Sequence, residues 1–306
     1  MVALPLLAAE PRPAVQQDRP GQQAAETDGW VDDVGLDLAF QQGAAALIEA
    51  GRAPEMADVR RGLEHRTCEL DLPPRNQPAG GTHEHDDETI DSSTLYERAR
   101  RSVAVVGSAY LCGRCDNWHV GGATGFFLTD DGVLVTNYHV VDQEERRAIF
   151  AMTADGRVFP VKETLAGDKR ADVAILRVDS VDQRGERATF EPLELADGSR
   201  VGQTVRVISH PDGRHYTLTE GIVSRRYRDT RHGGTRWMTI TADYARGSSG
   251  GPLFDEAGRV IGMVASTSSV YYDHDDDGDP RNLQMVWKQC VPVENIRALL
   301  RPSREQ

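Results

Sequence analysis

Three short stretches carry residue types whose chemistry depends on being brought together. In Gly247-Ser248-Ser249-Gly250-Gly251-Pro252 a serine sits among glycines. A serine hydroxyl is a weak nucleophile until a base takes its proton and N–H donors receive the developing oxyanion. Glycines on both sides permit the tight, partly left-handed backbone that aims the N–H groups of Gly247 and Ser249 at one point. In Val135-Thr136-Asn137-Tyr138-His139-Val140-Val141 a histidine ends an apolar strand, after the strand-turn-strand unit Gly125–Thr136. None of the other histidines is framed in this way. In Ala171-Asp172-Val173-Ala174-Ile175-Leu176 an acid stands just before a buried strand, where it can accept Nδ1–H from an imidazole and fix its tautomer. Asp142 and Asp168 compete for that role, but Asp142 follows His139 too closely to reach behind its ring and Asp168 lies in the preceding turn. The expected chemistry is acyl transfer, with Ser249 as nucleophile, His139 as base, Asp172 as orienting acid and Gly247 and Ser249 as oxyanion donors. The bland alternatives are a Gly-rich surface turn and a satisfied core histidine.

Such groups need a rigid frame. From Ser102 onward short β-branched and aliphatic runs repeat between Gly and Asp turns: Val103–Val106, Gly125–Leu128, Val133–Asn137, Val173–Val178, Val205–Ser209, Thr217–Ser224, Trp237–Thr241 and Val260–Ala265. The stretches 128–133 and 254–260 are hairpin signals closed by Gly. The fold class expected is all-β, two six-stranded antiparallel barrels divided near residue 190, with a C-terminal helix over Val293–Leu300 behind Pro292. No short-period repeat is present. Residues 1–93 read as a partly helical, partly disordered extension: a Pro/Gln/Ala/Gly leader over 10–28, a small two-helix element between Trp30 and Glu69 with Val34, Leu36, Leu38, Ala39, Ala46, Leu47 and Ile48 at helical spacing, and a polar linker over 72–92. The catalytic domain is expected over 94–301, with a tail at 302–306.

The formal net charge of −13 argues against a nucleic-acid or anionic-membrane surface, which needs clustered Lys and Arg. No apolar run reaches the ~18–20 residues that span a bilayer. Met1–Ala9 is apolar and ends in small residues. It reads equally as the tail of an export signal, implying a periplasmic or secreted chain, or as the plain start of a cytoplasmic one. Neither cofactor nor metal is expected. Asp273–Gly278 resembles the start of a calcium loop but has Gln284 at the twelfth position, so it reads as a solvated acidic loop. Cys112-Gly-Arg-Cys115 with His119 has zinc-like spacing, and Cys290 could add a fourth ligand. A local disulfide or reduced thiols is the preferred expectation.

The order His139, Asp172, Ser249 is that of the chymotrypsin fold rather than of subtilisins or α/β-hydrolases. Thr-Asn-Tyr-His-Val-Val, Ala-Asp-Val-Ala-Ile-Leu and Gly-Ser-Ser-Gly-Gly-Pro-Leu resemble the bacterial HtrA/Deg branch of the trypsin-like serine proteases, as do Ile208–Gly213 and Thr219–Ser224. The resemblance covers Thr94 to Leu300 and implies a serine endopeptidase acting on protein or peptide substrates through an acyl-enzyme. No PDZ domain follows the terminal helix in this sequence, so PDZ-driven assembly is not carried over and the oligomeric state stays open. Ser248 replaces the Asp that receives a freed N-terminus in the chymotrypsin group. Activation by N-terminal insertion is therefore not expected, and the first ninety residues should be dispensable. Asp243 has the spacing of trypsin's specificity acid, although the HtrA-like segment gives an Asp there no such part. Ala265, Ser266 and Thr267 are expected to line the substrate backbone. A non-cutting peptide-binding protein or an esterase on the same fold would carry the same residues.

Overall fold

The computed structural model of the 306-residue chain describes residues 30–72, 89–275 and 277–302. The apolar start, the leader and most of the linker and tail named above lie outside them. The first barrel is built from β1 (Val103–Leu111), β2 (Trp118–Phe127), β3 (Val133–Thr136), β4 (Ala148–Met152), β5 (Val158–Asp168) and β6 (Val173–Val178). The second uses β7 (Thr204–Ser209), β8 (Thr217–Asp229), β9 (Thr235–Ile240), β10 (Pro252–Phe254), β11 (Val260–His274) and β12 (Pro280–Pro292). Both are closed and antiparallel, as expected. Around the first the strands run β1-β2-β3-β6-β5-β4, and around the second β7-β8-β9-β12-β11-β10. One topology is thus used twice, although the two halves share no repeat visible in sequence.

Alternation along the strands explains how one sheet serves two apolar layers. Ala104, Val106, Phe127, Leu134 and Leu176 belong to one buried cluster, shared with Met56 and Val59. Their neighbours Val103, Val105, Phe126, Val133, Val135 and Ile175 belong to another, which also takes in Phe40 and Leu47 from the N-terminal region and Phe254 and Val260 from the second barrel. Strands covered on both faces read as continuous apolar runs, which is why β3 and β6 were legible. Strands β4, β5, β10 and β12 were not anticipated. Pro160, Lys162 and Glu163 interrupt the pattern of β5, and the first six residues of β12 are exposed.

The two expected N-terminal helices are α1 (Asp33–Glu49) and α2 (Met56–Arg61). Asp32 caps α1 by accepting from the Gly35 N–H at 2.9 Å. The buried stripe of α1 is Leu36, Phe40, Ala44 and Leu47, whereas Val34 and Leu38, part of the expected apolar face, are exposed. Both helices lie on the first barrel. At Gly43 in α1 an added Cβ would come 2.6 Å from Val158, and at Gly62, which opens the 3-10 turn after α2, it would come 1.6 Å from the Thr164 carbonyl oxygen, so α1 and this turn press directly on β5. A third helix, α3 (Ser92–Ala99), leads into β1. The C-terminal helix spans only Val293–Arg297. Beyond it Leu300 and Arg301 pair in parallel with Cys68 and Glu69, so the N-terminal region also borders the end of the domain.

Candidate active site

His139 and Asp172, the expected base and acid, come from one barrel. Pairing of β3 with β6 sets Thr136 opposite Ala174. The turn that follows β3, α4 (Tyr138–Val141), lifts His139 beside Asp172, the residue entering β6. His139 Nδ1 lies 2.9 Å from Asp172 Oδ2 and 3.1 Å from Oδ1. The backbone N–H of His139 also donates to Oδ1 at 3.1 Å, and Asn137 Nδ2 donates to the Asp172 carbonyl oxygen at 3.0 Å. In the tautomer with the proton on Nδ1 the carboxylate accepts it, and Nε2 is the ring nitrogen turned away from Asp172. Asp172 has φ +55°, a left-handed conformation that costs a non-glycine residue of order 1–3 kcal/mol and persists only where the surroundings enforce it. Its side chain is 17% exposed against 50% for His139, so the acid is shielded while the imidazole faces solvent.

The rival acids are engaged elsewhere. Asp142 pairs with Arg60 at 2.6 Å and Lys169 at 3.2 Å. The Arg60 hydrogen bond, ahead of the opposing effect of burial, holds its carboxyl below the usual range. Asp168 accepts from the N–H groups of Arg170 and Ala171, closing the turn before Asp172.

The serine loop belongs to the second barrel and is stitched to the first. Thr124 on β2 donates its N–H to the Ser249 carbonyl at 2.8 Å and its hydroxyl to the Gly247 carbonyl at 2.9 Å. Gly250, with φ +86°, sits so close that a Cβ would fall 2.1 Å from the Thr124 carbonyl oxygen and 2.5 Å from Thr136 Oγ1. Gly247, with φ +95°, is likewise pressed on the His210 carbonyl oxygen, 2.4 Å from where a Cβ would stand. Among the described residues the N–H groups of Gly247 and Ser249 donate to no protein acceptor, unlike that of Ser248, which donates to Ala245. Ser249 Oγ donates to the Ala265 carbonyl at 3.2 Å, so in this resting geometry the hydroxyl is turned along β11 and must rotate to meet His139. A register shift between Val264 and Ser266 leaves Ala265 unpaired with β12 and turns its carbonyl toward the serine. Ser248 is fully buried and accepts from the Ser209 hydroxyl at 3.0 Å.

The remaining expected residues are placed as follows. Ser266 and Thr267 are exposed on β11, paired with Gln289 and Lys288. Asp243 is 86% exposed and ion-paired with Lys288, which leaves its charge on the surface and compensated. Cys290 is buried in the second barrel, its thiol pushed up to about 12 mainly by burial and held near the Tyr244 hydroxyl, so it does not join Cys112 and Cys115.

Several supporting residues were not anticipated. Tyr244 bridges the carbonyls of Ser266 and Gln289 at 2.8 and 2.9 Å, tying β11 to β12 beside the serine loop. The segment before β8 is held from α1: Asp33 accepts from the His215 N–H at 2.8 Å and Asp37 lies 2.9 Å from His215 Nε2. Next to it Tyr216 N–H donates to His210 Nδ1 at 3.1 Å, and burial, then His215, pushes His210 down to about 3, keeping it neutral. Asp212 N–H donates to the Arg246 carbonyl at 2.6 Å, which brings this buttress to the residue before Gly247. Thr124 had a sequence signal, the run Gly121-Gly122-Ala123-Thr124-Gly125, whose lack of side chains allows another backbone to approach. Asp37 and His215 had none.

A double barrel with an Asp–His pair on one half and a glycine-framed serine on the other defines the trypsin-like class, and residues 123–263 match the family model for the trypsin-like peptidase domain. Over those residues, less than half of the chain, the protein is similar to trypsin-like peptidase domains, and the curated relatives it resembles are DegP-like. It is 37% identical over 143 residues to a probable periplasmic serine endoprotease, DegP-like, of Rhizobium meliloti (strain 1021), which covers 46% of this chain and 27% of the relative. The corresponding protein of Bartonella henselae is 38% identical over 143 residues, with the same coverage. The match thus spans about a quarter of the length of these curated relatives. Among solved structures, an HtrA-type protease AlgW with tripeptide aligns with a TM-score of 0.49 and 22% identity over 67% of this chain and 60% of that one. No helix among the described residues is long and apolar enough to cross a membrane.

Proposed function

We propose that the chain is a serine endopeptidase that hydrolyses peptide bonds of protein substrates through an acyl-enzyme. The observation that carries this is the Asp172–His139 clamp delivered by one barrel to the seam where Thr124 and Thr136 hold the Ser249 loop of the other. Ser249 Oγ leaves the Ala265 carbonyl, gives its proton to His139 Nε2 and attacks the substrate carbonyl. The uncommitted N–H groups of Gly247 and Ser249 receive the oxyanion. His139 then passes the proton to the leaving amine, Asp172 stabilising the imidazolium, and a water repeats the sequence to release the acid. With Asp243 paired to Lys288, and Ala242, Ala265 and Cys290 all buried around Tyr244, the reading favours an uncharged P1 residue. A P1 library that selects Arg or Lys contradicts that part alone.

The test is casein turnover by wild type and by Ser249→Ala, with fold checked by circular dichroism. Wild type should cleave and the variant should not. A wild-type protein that binds casein without cutting it is a peptide-binding module instead. Cleavage of small esters without casein turnover marks an esterase.

A further inference from the structure

The hairpin joining β1 to β2 turns through Cys112-Gly113-Arg114-Cys115-Asp116-Asn117 and re-enters the sheet at Trp118-His119. It is closed by the Cys112 N–H to the Asn117 carbonyl and by the Asp116 N–H to the Cys112 carbonyl, each at 3.0 Å, with Asp116 at φ +53°. These bonds fold the two cysteines onto one side of the turn. His119 is the register partner of Tyr110, and their rings stack with centroids 5.7 Å apart. The Tyr110 face beyond carries the Arg146 guanidinium at 4.3 Å. That stack sets the imidazole toward the turn, where His119 Nε2 stands 3.2 Å from Cys115 Sγ. One donor atom each from Cys112, Cys115 and His119 lies within 4.8 Å of the other two. In a tetrahedral zinc site, bond lengths of about 2.3 Å to sulfur and 2.0 Å to nitrogen put such a sulfur and nitrogen about 3.5 Å apart. The trio therefore needs only small side-chain adjustments to close on one ion.

The geometry points to a zinc-type divalent metal site formed by Cys112, Cys115 and His119 at the tip of the β1–β2 hairpin. Two thiolates and an imidazole select a borderline-soft ion over calcium or magnesium. The fourth position faces solvent, because Cys115 is exposed and Cys290 is buried in the other barrel. A disulfide between Cys112 and Cys115 would use the same sulfurs but leave the third donor, His119, without a part. The ion would clip the hairpin five residues before Thr124, the residue that holds the Ser249 loop.

The site is tested on the full chain, independently of any peptidase activity. The protein is purified under reducing conditions, loaded with zinc chloride or cobalt(II), desalted and analysed for metal content and absorbance. Retention of about one ion per chain, with a thiolate-to-cobalt charge-transfer band, is expected. Cys112→Ser and Cys115→Ser should lose both signals. His119→Ala should weaken zinc binding by more than the ~10–100-fold that removing an outer-shell partner costs. Cys112 and Cys115 lie on the hairpin turn and His119 at the start of β2, none of them buried, and circular dichroism identifies any variant that fails to fold. No retained metal in the reduced wild-type chain overturns the site. So does unchanged stoichiometry in the cysteine variants, or a Cys112–Cys115 disulfide whose reduction brings no metal uptake.

Discussion

In the first barrel the proposed acid and base, Asp172 and His139, hold each other. Asp172 contacts the ring and the backbone of His139 at once, Asn137 fixes the Asp172 backbone, and all three come from the paired ends of β3 and β6. The second barrel repeats the strand order, yet its contribution has no comparable internal clamp. The Ser249 hydroxyl rests on Ala265, and the Gly247 and Ser249 N–H groups are uncommitted. Its restraints come from outside: Thr124 and Thr136 from the first barrel, and α1 acting through His215 on the segment that abuts Gly247. One half of the site is preorganised by its own hydrogen bonds, and the other is positioned by its neighbours. The N-terminal region belongs to that second mechanism, since Phe40 and Leu47 share a buried cluster with residues of both barrels.

Substitutions can break this contrast at graded cost. The largest effects belong to the self-held half. His139→Ala should lower kcat/KM by ~10⁴–10⁶ and Asp172→Asn by ~10⁴, both in a normally folded protein. Steady-state kinetics with active-site titration would check this, and a loss under tenfold for either would dissolve the acid–base pair. Next comes the seam. Gly250→Ala forces a methyl group against the Thr124 carbonyl and Thr136 at a φ that disfavours it, and should cost ~10²–10³ in kcat by misplacing the oxyanion donors. The variant should keep the near-ultraviolet spectrum of the wild type. An unaffected rate would show that the loop does not need this close approach.

The third prediction concerns α1. Phe40→Ala should destabilise the fold by about 3–5 kcal/mol in urea denaturation, because its ring is buried against the first barrel. A change near zero would show that this contact with the barrels adds little to stability. The smallest effect is that of Asp37→Ala, which removes the side-chain partner of His215. It should lower kcat/KM by no more than about tenfold with little change in melting temperature, since Asp37 is half exposed. Loss of stability without loss of rate would make that contact purely structural.

The barrel class, and the meeting of His139 with Asp172, were legible because they depend on local pattern. Val133–Thr136 and Val173–Val178 are unbroken apolar runs flanked by turn residues, and His139 and Asp172 stand at their ends. The exposed, polar start of β12 offered no period to read. Its partner β11 was seen only as far as Ala265, where burial stops. The seam was half visible, as a Gly-rich approach at Thr124 without any sign of what approaches. Contacts such as Asp37 to His215 join residues far apart in the chain, and no spacing rule encodes them. The face of α1 was misjudged for a related reason. Val34 and Leu38 are as apolar as Leu36 and Phe40, and only docking against β5 decides which stripe is buried.

The most direct measurement of the central claim is covalent labelling with a fluorophosphonate probe, followed by peptide mapping of the modified residue. A self-held acid–base pair meeting an activated serine predicts a single modification on Ser249, absent from Ser249→Ala and strongly slowed in His139→Ala. Labelling at another residue, undiminished labelling of Ser249→Ala, or none in a folded, reduced wild-type chain would contradict it.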